Sequence, residues 1–178
     1  MSAHDDADSI ANELREFLHA RREEVATAWN RSLSFGDYVS DRWEKAQSLG
    51  FGEGSSVYDS VTVIGDVKVG PNTWVGPQVV LDGSGGLSIG SHCSVSAGVQ
   101  IYSHDSVRWA VSGGKEGIEH ASTTVGSNVY LGPNVVVAKG VSIGHRCVIG
   151  ANSVVMSDIP AGFMAAGNPC KVIKEITD

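Results

Sequence analysis

Val125-Gly126-Ser127-Asn128-Val129-Tyr130-Leu131-Gly132-Pro133-Asn134-Val135-Val136-Val137-Ala138-Lys139-Gly140-Val141-Ser142-Ile143-Gly144 is a run in which an aliphatic residue returns at every sixth position. Four residues after each aliphatic stands a small or β-branched residue, here Val129, Val135 and Val141. The beat runs back through Ile101, Val95 and Ile89 to Leu81, Val75, Val69, Val63 and Val57, and forward to Ile149 and Val155. Fourteen aliphatic positions share this phase, and glycine follows many of them, as at Gly70, Gly76, Gly90, Gly126, Gly132, Gly144 and Gly150.

Side chains alternate faces along a strand, so residues two apart point the same way. Val141 and Ile143, or Thr73 and Val75, therefore point inward together. The Gly and Asn that follow are expected to take the corners, where a positive φ costs them little. Six residues make one short strand and one corner, and three units close a triangular coil. A fixed period of this kind marks a repeat architecture. It resembles the hexapeptide-repeat, left-handed parallel β-helix, and the left hand is what that resemblance implies. The fold class expected is mainly β: a left-handed parallel β-helix over 55–160, an N-terminal helical segment over 1–54, and a C-terminal extension over 161–178.

The beat breaks twice. Asp82-Gly83-Ser84-Gly85-Gly86 lengthens one corner by two residues, and the stretch 102–124 lengthens another by eighteen. Counted from Val57, the aliphatics before these insertions, Leu81 and Ile101, are the fourth and seventh. Four and seven leave the same remainder modulo three, so both insertions leave one edge of the prism, one coil apart. Val137, three units after Ile101, puts Lys139-Gly140 at that edge in the next coil.

Outside the repeat, residues 8–31 read as an amphipathic helix, with Ile10, Leu14, Leu18, Val25 and Trp29 on one face and Asp8 or Ser9 at the cap. A shorter helix is expected over 38–49, ending at Gly50. These segments are expected to cover the first coil, shielding an open strand edge. The end of the chain is expected to fold back over the last coil as a strand or loop plus a short helix.

The formal charge is −7, with 12 acidic and 6 basic residues in 1–60 and 8 and 7 in the remainder. That leaves no basic face for nucleic acid. No apolar run approaches the ~20 residues of a membrane span, and the first residues carry no apolar signal region. A cytoplasmic protein is the expectation. Cys93, Cys147 and Cys170 have neither the spacing of a zinc site nor an even count, and Cys93 and Cys147 fall on small inward positions as buried thiols.

Two segments, Gly86-Leu87-Ser88-Ile89-Gly90 and Gly140-Val141-Ser142-Ile143-Gly144, match G-x-S-x-G. A nucleophile elbow needs its Ser on a sharp strand-to-helix turn. Here each Ser lies between two inward residues of a hexad and points outward, so both are products of the repeat. His104 is different: it stands where the scaffold stops, with Asp105 and Asp82 near enough to orient its ring. A neutral imidazole is suited to take a proton from a hydroxyl or amine at neutral pH. His92 and His145 sit near corners, and His120 lies late in the long loop, where it is a candidate substrate contact.

The run Ser96-Ala97-Gly98-Val99-Gln100-Ile101-Tyr102-Ser103-His104-Asp105 resembles the active-site segment of hexapeptide acyltransferases related to the galactoside and maltose O-acetyltransferases. So does Val148-Ile149-Gly150-Ala151-Asn152-Ser153-Val154-Val155, with Asp158-Ile159-Pro160 and Ala166-Gly167-Asn168-Pro169-Cys170-Lys171 beyond it. Leu81-Asp82-Gly83-Ser84-Gly85-Gly86, with Asp105 to Trp109 and Ser112 to Lys115, is similar to acyltransferases of surface-polysaccharide clusters. The resemblance implies acetyl transfer from acetyl-CoA to a saccharide hydroxyl, without metal, in a homotrimer with its sites between subunits. It implies His104 as the base and Asp82, Asp105, Tyr102 and Trp109 as supporting or acceptor-binding residues. For CoA it implies Tyr130, Gly132, Pro133, Ala138, Ala151, Met156 and Lys171, with Tyr130 standing where the galactoside enzymes carry Trp. N-acetylation of a nucleotide-linked amino sugar is the alternative within the class. Outside it stand a γ-carbonic-anhydrase-like metal hydratase, whose His spacing this chain does not reproduce, and a non-catalytic prism.

Overall fold

In the computed structural model, which describes residues 3–177, the six-residue units wind into a parallel β-solenoid. Val57, Val75, Val95, Leu131, Ile149 and Ala165 stack in register on one face. Val63, Leu81, Ile101, Val137 and Val155 stack on a second. Val69, Ile89, Val125 and Ile143 stack on a third, with Ile159 bridged to Ile143. Neighbours in a column are eighteen residues apart where the beat is unbroken, as from Val57 to Val75. The spacing widens to twenty from Val75 to Val95 and thirty-six from Val95 to Leu131, exceeding eighteen by the lengths of the two insertions. Thirteen of the fourteen aliphatics are buried and Val63 is half-buried. At about 1.5–3 kcal/mol for each fully buried side chain, these columns are the main favourable contribution to the fold.

The corners correct the expectation made for glycine. Left-handed backbone occurs three residues after the aliphatic, at Asn72, Gln78, His92, Asn128, Asn134, Arg146 and Asn152, as well as at Gly98 and Gly140. The glycines directly after the aliphatics answer a different need. A Cβ at Gly126 would lie 2.7 Å from the amide nitrogen of His145, and one at Gly132 would lie 2.6 Å from that of Ala151. Stacked coils approach too closely there for any side chain.

The first insertion lengthens its corner by the two residues expected and does so within a strand. Val80–Ile89 is one continuous ten-residue strand that turns the corner while paired to Thr62–Val69. Ser88 and Ser142 are exposed, Ser142 Oγ bonding Thr124 Oγ1 at 2.8 Å, as outward hexad positions require. All three cysteines are free and buried, and the thiols of Cys93 and Cys147 point to the corner carbonyls of Gly126 and Pro160.

The chain divides into two compact units at Asp41/Arg42. The first holds α1 (Ala3–Trp29) and α2 (Phe35–Val39). In it, Tyr38 is buried, its hydroxyl accepts from Leu33 N at 2.8 Å, and Arg22 lies over its ring. Helix α1 starts before the expected cap, and Ser9 Oγ turns to Glu13 within it. In place of one helix over 38–49 there are two, because Ser40 is extended (φ −95°, ψ 124°). The later one, α3 (Arg42–Ser48), packs on Ser56–Val57 in the solenoid unit, where Ala46 and Phe51 join the core. Lys45 Nζ donates to the carbonyls of Tyr58 and Asp59 there. At the other end, Phe163–Ala166 continues the first face in parallel, and Lys171–Glu175 returns antiparallel to it, where a short helix was expected. Among the described residues no helix is long and apolar enough to cross a membrane.

Candidate active site

The edge predicted by the phase of the repeat is where the polar groups gather. Leu81, Ile101 and Val137 pair in register, so the residues after them, Asp82, Tyr102 and Ala138, follow one another up the same corner. Asp82 is completely buried. Its Oδ1 accepts from Ser84 N at 3.0 Å and from Ser84 Oγ, and its Oδ2 accepts from Ser103 N at 2.9 Å. His104 Nδ1 lies 2.6 Å from the same Oδ2, with the imidazole side chain 34 % exposed. Burial alone would push the Asp82 carboxyl upward. The hydrogen bonds from Ser84, Ser103 and His104 outweigh it and hold the group well below the usual carboxylate range. A carboxylate only accepts, so His104 Nδ1 carries a proton, and in the neutral ring the lone pair is therefore on Nε2. The arrangement fixes a base.

Glycine explains how a carboxylate is buried here. A Cβ on Gly65 would meet Gly83 O at 2.6 Å, and one on Gly85 would meet Ala121 N at 2.9 Å. Gly83 lies against the backbone of Asp66 in the preceding coil, Gly85 lies where the long loop leaves and re-enters the prism at Ser103 and Ala121, and Gly86 takes a left-handed φ of 92°. Ser103 Oγ accepts from Gly85 N, and Thr123 Oγ1 donates to Tyr102 O while accepting from Gly140 N.

Beyond Ser103 the loop forms a small hairpin, with His104 opposite His120 and Asp105 opposite Glu119. The two imidazoles are stacked, their centroids 6.0 Å apart. Between the strands lies α4 (Val107–Val111), with Trp109 exposed and Arg108 Nε bound to Glu119 Oε1 at 2.7 Å. Asp105 does not reach the His104 ring: its Oδ2 meets Lys139 Nζ at 2.9 Å and its Oδ1 accepts from Val107 N. Tyr102 Oη donates to Gln100 Oε1 at 2.7 Å.

The residues proposed for CoA occupy two places. Ala138 and Met156 follow Val137 and Val155 along the edge of His104, Met156 exposed. Gly132, Pro133 and Ala151 lie at the preceding corner, Gly132 N donating to Ile149 O. Tyr130 is an exposed outward residue beside Val148, and Lys171 is exposed on the returning C-terminal strand. Among the described residues no group of three His, Cys, Asp or Glu side chains is placed to hold a metal ion. Sequence reasoning missed Ser84, Ser103, Arg108 and Glu119. The first two had a signal, hydroxyls beside Asp82 and His104, whereas the last two lie in a loop with no period to place them.

Fold and site together define a hexapeptide-repeat solenoid with an aspartate–histidine pair at one corner. Residues 122–156 match the family model for the bacterial transferase hexapeptide (six repeats). The chain is 35% identical over 130 residues to galactoside O-acetyltransferase of Escherichia coli, a match spanning 62% of this chain and 64% of that one. A maltose O-acetyltransferase from Clostridium difficile is 29% identical, superposes with a TM-score of 0.55, and covers 92% of this chain and 90% of its own. A hexapeptide-repeat acetyltransferase from Vibrio cholerae, solved with acetyl coenzyme A, superposes with a TM-score of 0.69 over 94% of this chain and 89% of its own at 24% identity. The chain thus carries the bacterial transferase hexapeptide repeat over 122–156 and is similar to hexapeptide-repeat acetyltransferases, spanning 64% of the length of the galactoside enzyme it matches.

Proposed function

We propose that this protein transfers an acetyl group from acetyl-CoA to a hydroxyl of a saccharide, with His104 as general base. The observation that carries the reading is the contact of buried Asp82 with the partly exposed His104, 2.6 Å long, at the corner where the scaffold is interrupted. The relatives named as galactoside and maltose O-acetyltransferases support the saccharide acceptor. His104 Nε2 takes the hydroxyl proton as the oxygen attacks the thioester carbonyl. Asp82 stabilises the imidazolium so formed. When the C–S bond breaks, His104 returns the proton to the departing thiolate, so the proton balance closes without a metal. A rigid prism holds the base in place. Ala138 and Met156 on one side, and Tyr130, Gly132, Pro133 and Ala151 on the other, are the proposed contacts for the pantetheine arm. Lys171 is the proposed contact for a CoA phosphate. Tyr102 and Trp109 face the acceptor side in this reading. The assembly is a homotrimer with one site at each subunit boundary, working in the cytoplasm, which suits three unpaired buried cysteines.

Thiol release from acetyl-CoA, measured against a panel of saccharides, amino sugars and amino acids, tests the proposal. A saccharide-dependent signal abolished in His104→Ala supports it. A signal with amino sugars alone would move the reading to N-acetylation, and no acceptor-dependent release with any of them would sink it.

A further inference from the structure

The hairpin that carries His104 has two residues in each strand, too few to hold its own shape in water. Its tip also has an electrostatic problem. Asp105 and Glu119 are directly opposite partners across the ladder, and like charges at such positions repel. One cation resolves it. Lys139 Nζ lies 2.9 Å from Asp105 Oδ2 and 2.7 Å from Glu119 Oε2, with its side chain 19 % exposed. Those contacts hold both carboxyls below their usual range and push the Lys139 ammonium up. Each carboxylate adjoins an imidazole in the chain, Asp105 following His104 and Glu119 preceding His120. Lys139 itself comes from the prism, two residues after Val137, whose backbone pairs with Ile101 where the loop departs.

We infer that Lys139 is a positioning residue: it pins the tip of the His104–His120 hairpin to the next coil and so fixes the base over its reaction centre. The inference rests on the acetyltransferase reading only for its kinetic consequence. The charges around Lys139 are accounted for by Asp105 and Glu119, with Arg108 of α4 on the far oxygen of Glu119 and Glu116 on Arg108. Asp82 is engaged separately at the other side of His104. Losing Lys139 therefore leaves two opposed carboxylates with no cation between them, and the hairpin must splay.

Lys139→Met keeps the aliphatic stem and removes the charge. Its kcat is expected to fall at least about tenfold, within the roughly hundredfold loss that a misplacement of about 1 Å can cause, while KM for acetyl-CoA stays unchanged. Lys139→Arg, which offers a fork to both carboxylates, and the triple variant K139M/D105N/E119Q, which removes the repulsion, are expected to recover most of the loss. In the protein without substrates, the NMR cross-peak between the His104 and His120 ring protons is expected to vanish in Lys139→Met and return in both rescue variants. A Lys139→Met protein that keeps both its kcat and the cross-peak overturns the inference, as does a triple variant as impaired as the single one in both. If the native chain transfers no acetyl group, the functional reading fails and the cross-peak alone decides the role of Lys139.

Discussion

Asp82 and His104 stand 22 residues apart in the chain and 2.6 Å apart in space, because a coil lengthened by two residues pairs Leu81 with Ile101, and Asp82 and His104 follow those two at the same corner. Since Asp82 accepts from Nδ1, its charge sets the tautomer of the base. His104→Ala should therefore lower kcat/KM for acetyl transfer by about 10²–10⁴, the range of a lost general base. Asp82→Asn should come close to it, because an amide can donate to Nδ1 and leave the proton on Nε2. Steady-state kinetics of both variants check this. An Asp82→Asn protein within a few-fold of native would remove Asp82 from the mechanism.

Stability against acid should report the same carboxylate. The Asp82 carboxyl is held below the usual range in the fold, so its contribution is fully present above the unfolded value near 4 and is lost as pH falls through the folded value. The melting temperature of the native protein should fall below about pH 4, and that of Asp82→Asn should fall less steeply over the same interval. Parallel curves would mean that Asp82 is not held ionised.

The two kinds of corner residue should both be destabilised by alanine, for different reasons. Gly126 has no left-handed φ, yet a Cβ there would press on the backbone of His145 and Gly144. Asn128 has φ 60° and is the residue that bears the turn. Gly126→Ala should destabilise by packing, on the order of 1–3 kcal/mol for an overfilled site. Asn128→Ala should cost about 1 kcal/mol through the left-handed backbone, and Asn128→Gly less. Urea midpoints at a fixed protein concentration separate these cases.

Phase was the legible part of this molecule. Six-residue spacing alone placed Leu81, Ile101 and Val137 in one column, and with them Asp82, His104 and Lys139 at one edge. Conformation was not legible, because a period counts residues without fixing φ. That is why glycine and asparagine were both expected at the left-handed corners, whereas Asn128 takes that backbone and Gly126 does not. The hairpin was also hidden. Glu119 and Arg108 lie in a stretch with no repeat, and only the fold shows that Asp105 turns from His104 to Lys139. Nor could apolar periodicity over 38–49 show the break at Ser40, where the backbone turns extended between two short helices.

Ile101 joins scaffold to chemistry: its side chain is fully buried in the second column, and three residues later comes His104. Truncating it to alanine removes three carbons from a site walled by Leu81 and Val137. A rigid stack cannot collapse around such a gap, so the cost should fall in the range of about 2–5 kcal/mol for Ile→Ala in a core. Val63 occupies the same column but is half-buried at its first coil, and Val63→Ala should cost clearly less. In the proposed trimer, assembly would stabilise each subunit by mass action, so both variants are to be compared with the native chain at one concentration. If the prism positions the base, Ile101→Ala should lose kcat as well as stability at temperatures where it remains folded, and Val63→Ala should lose neither appreciably. Equal losses of kcat in the two variants would show that the column above the insertion does not govern the placement of His104.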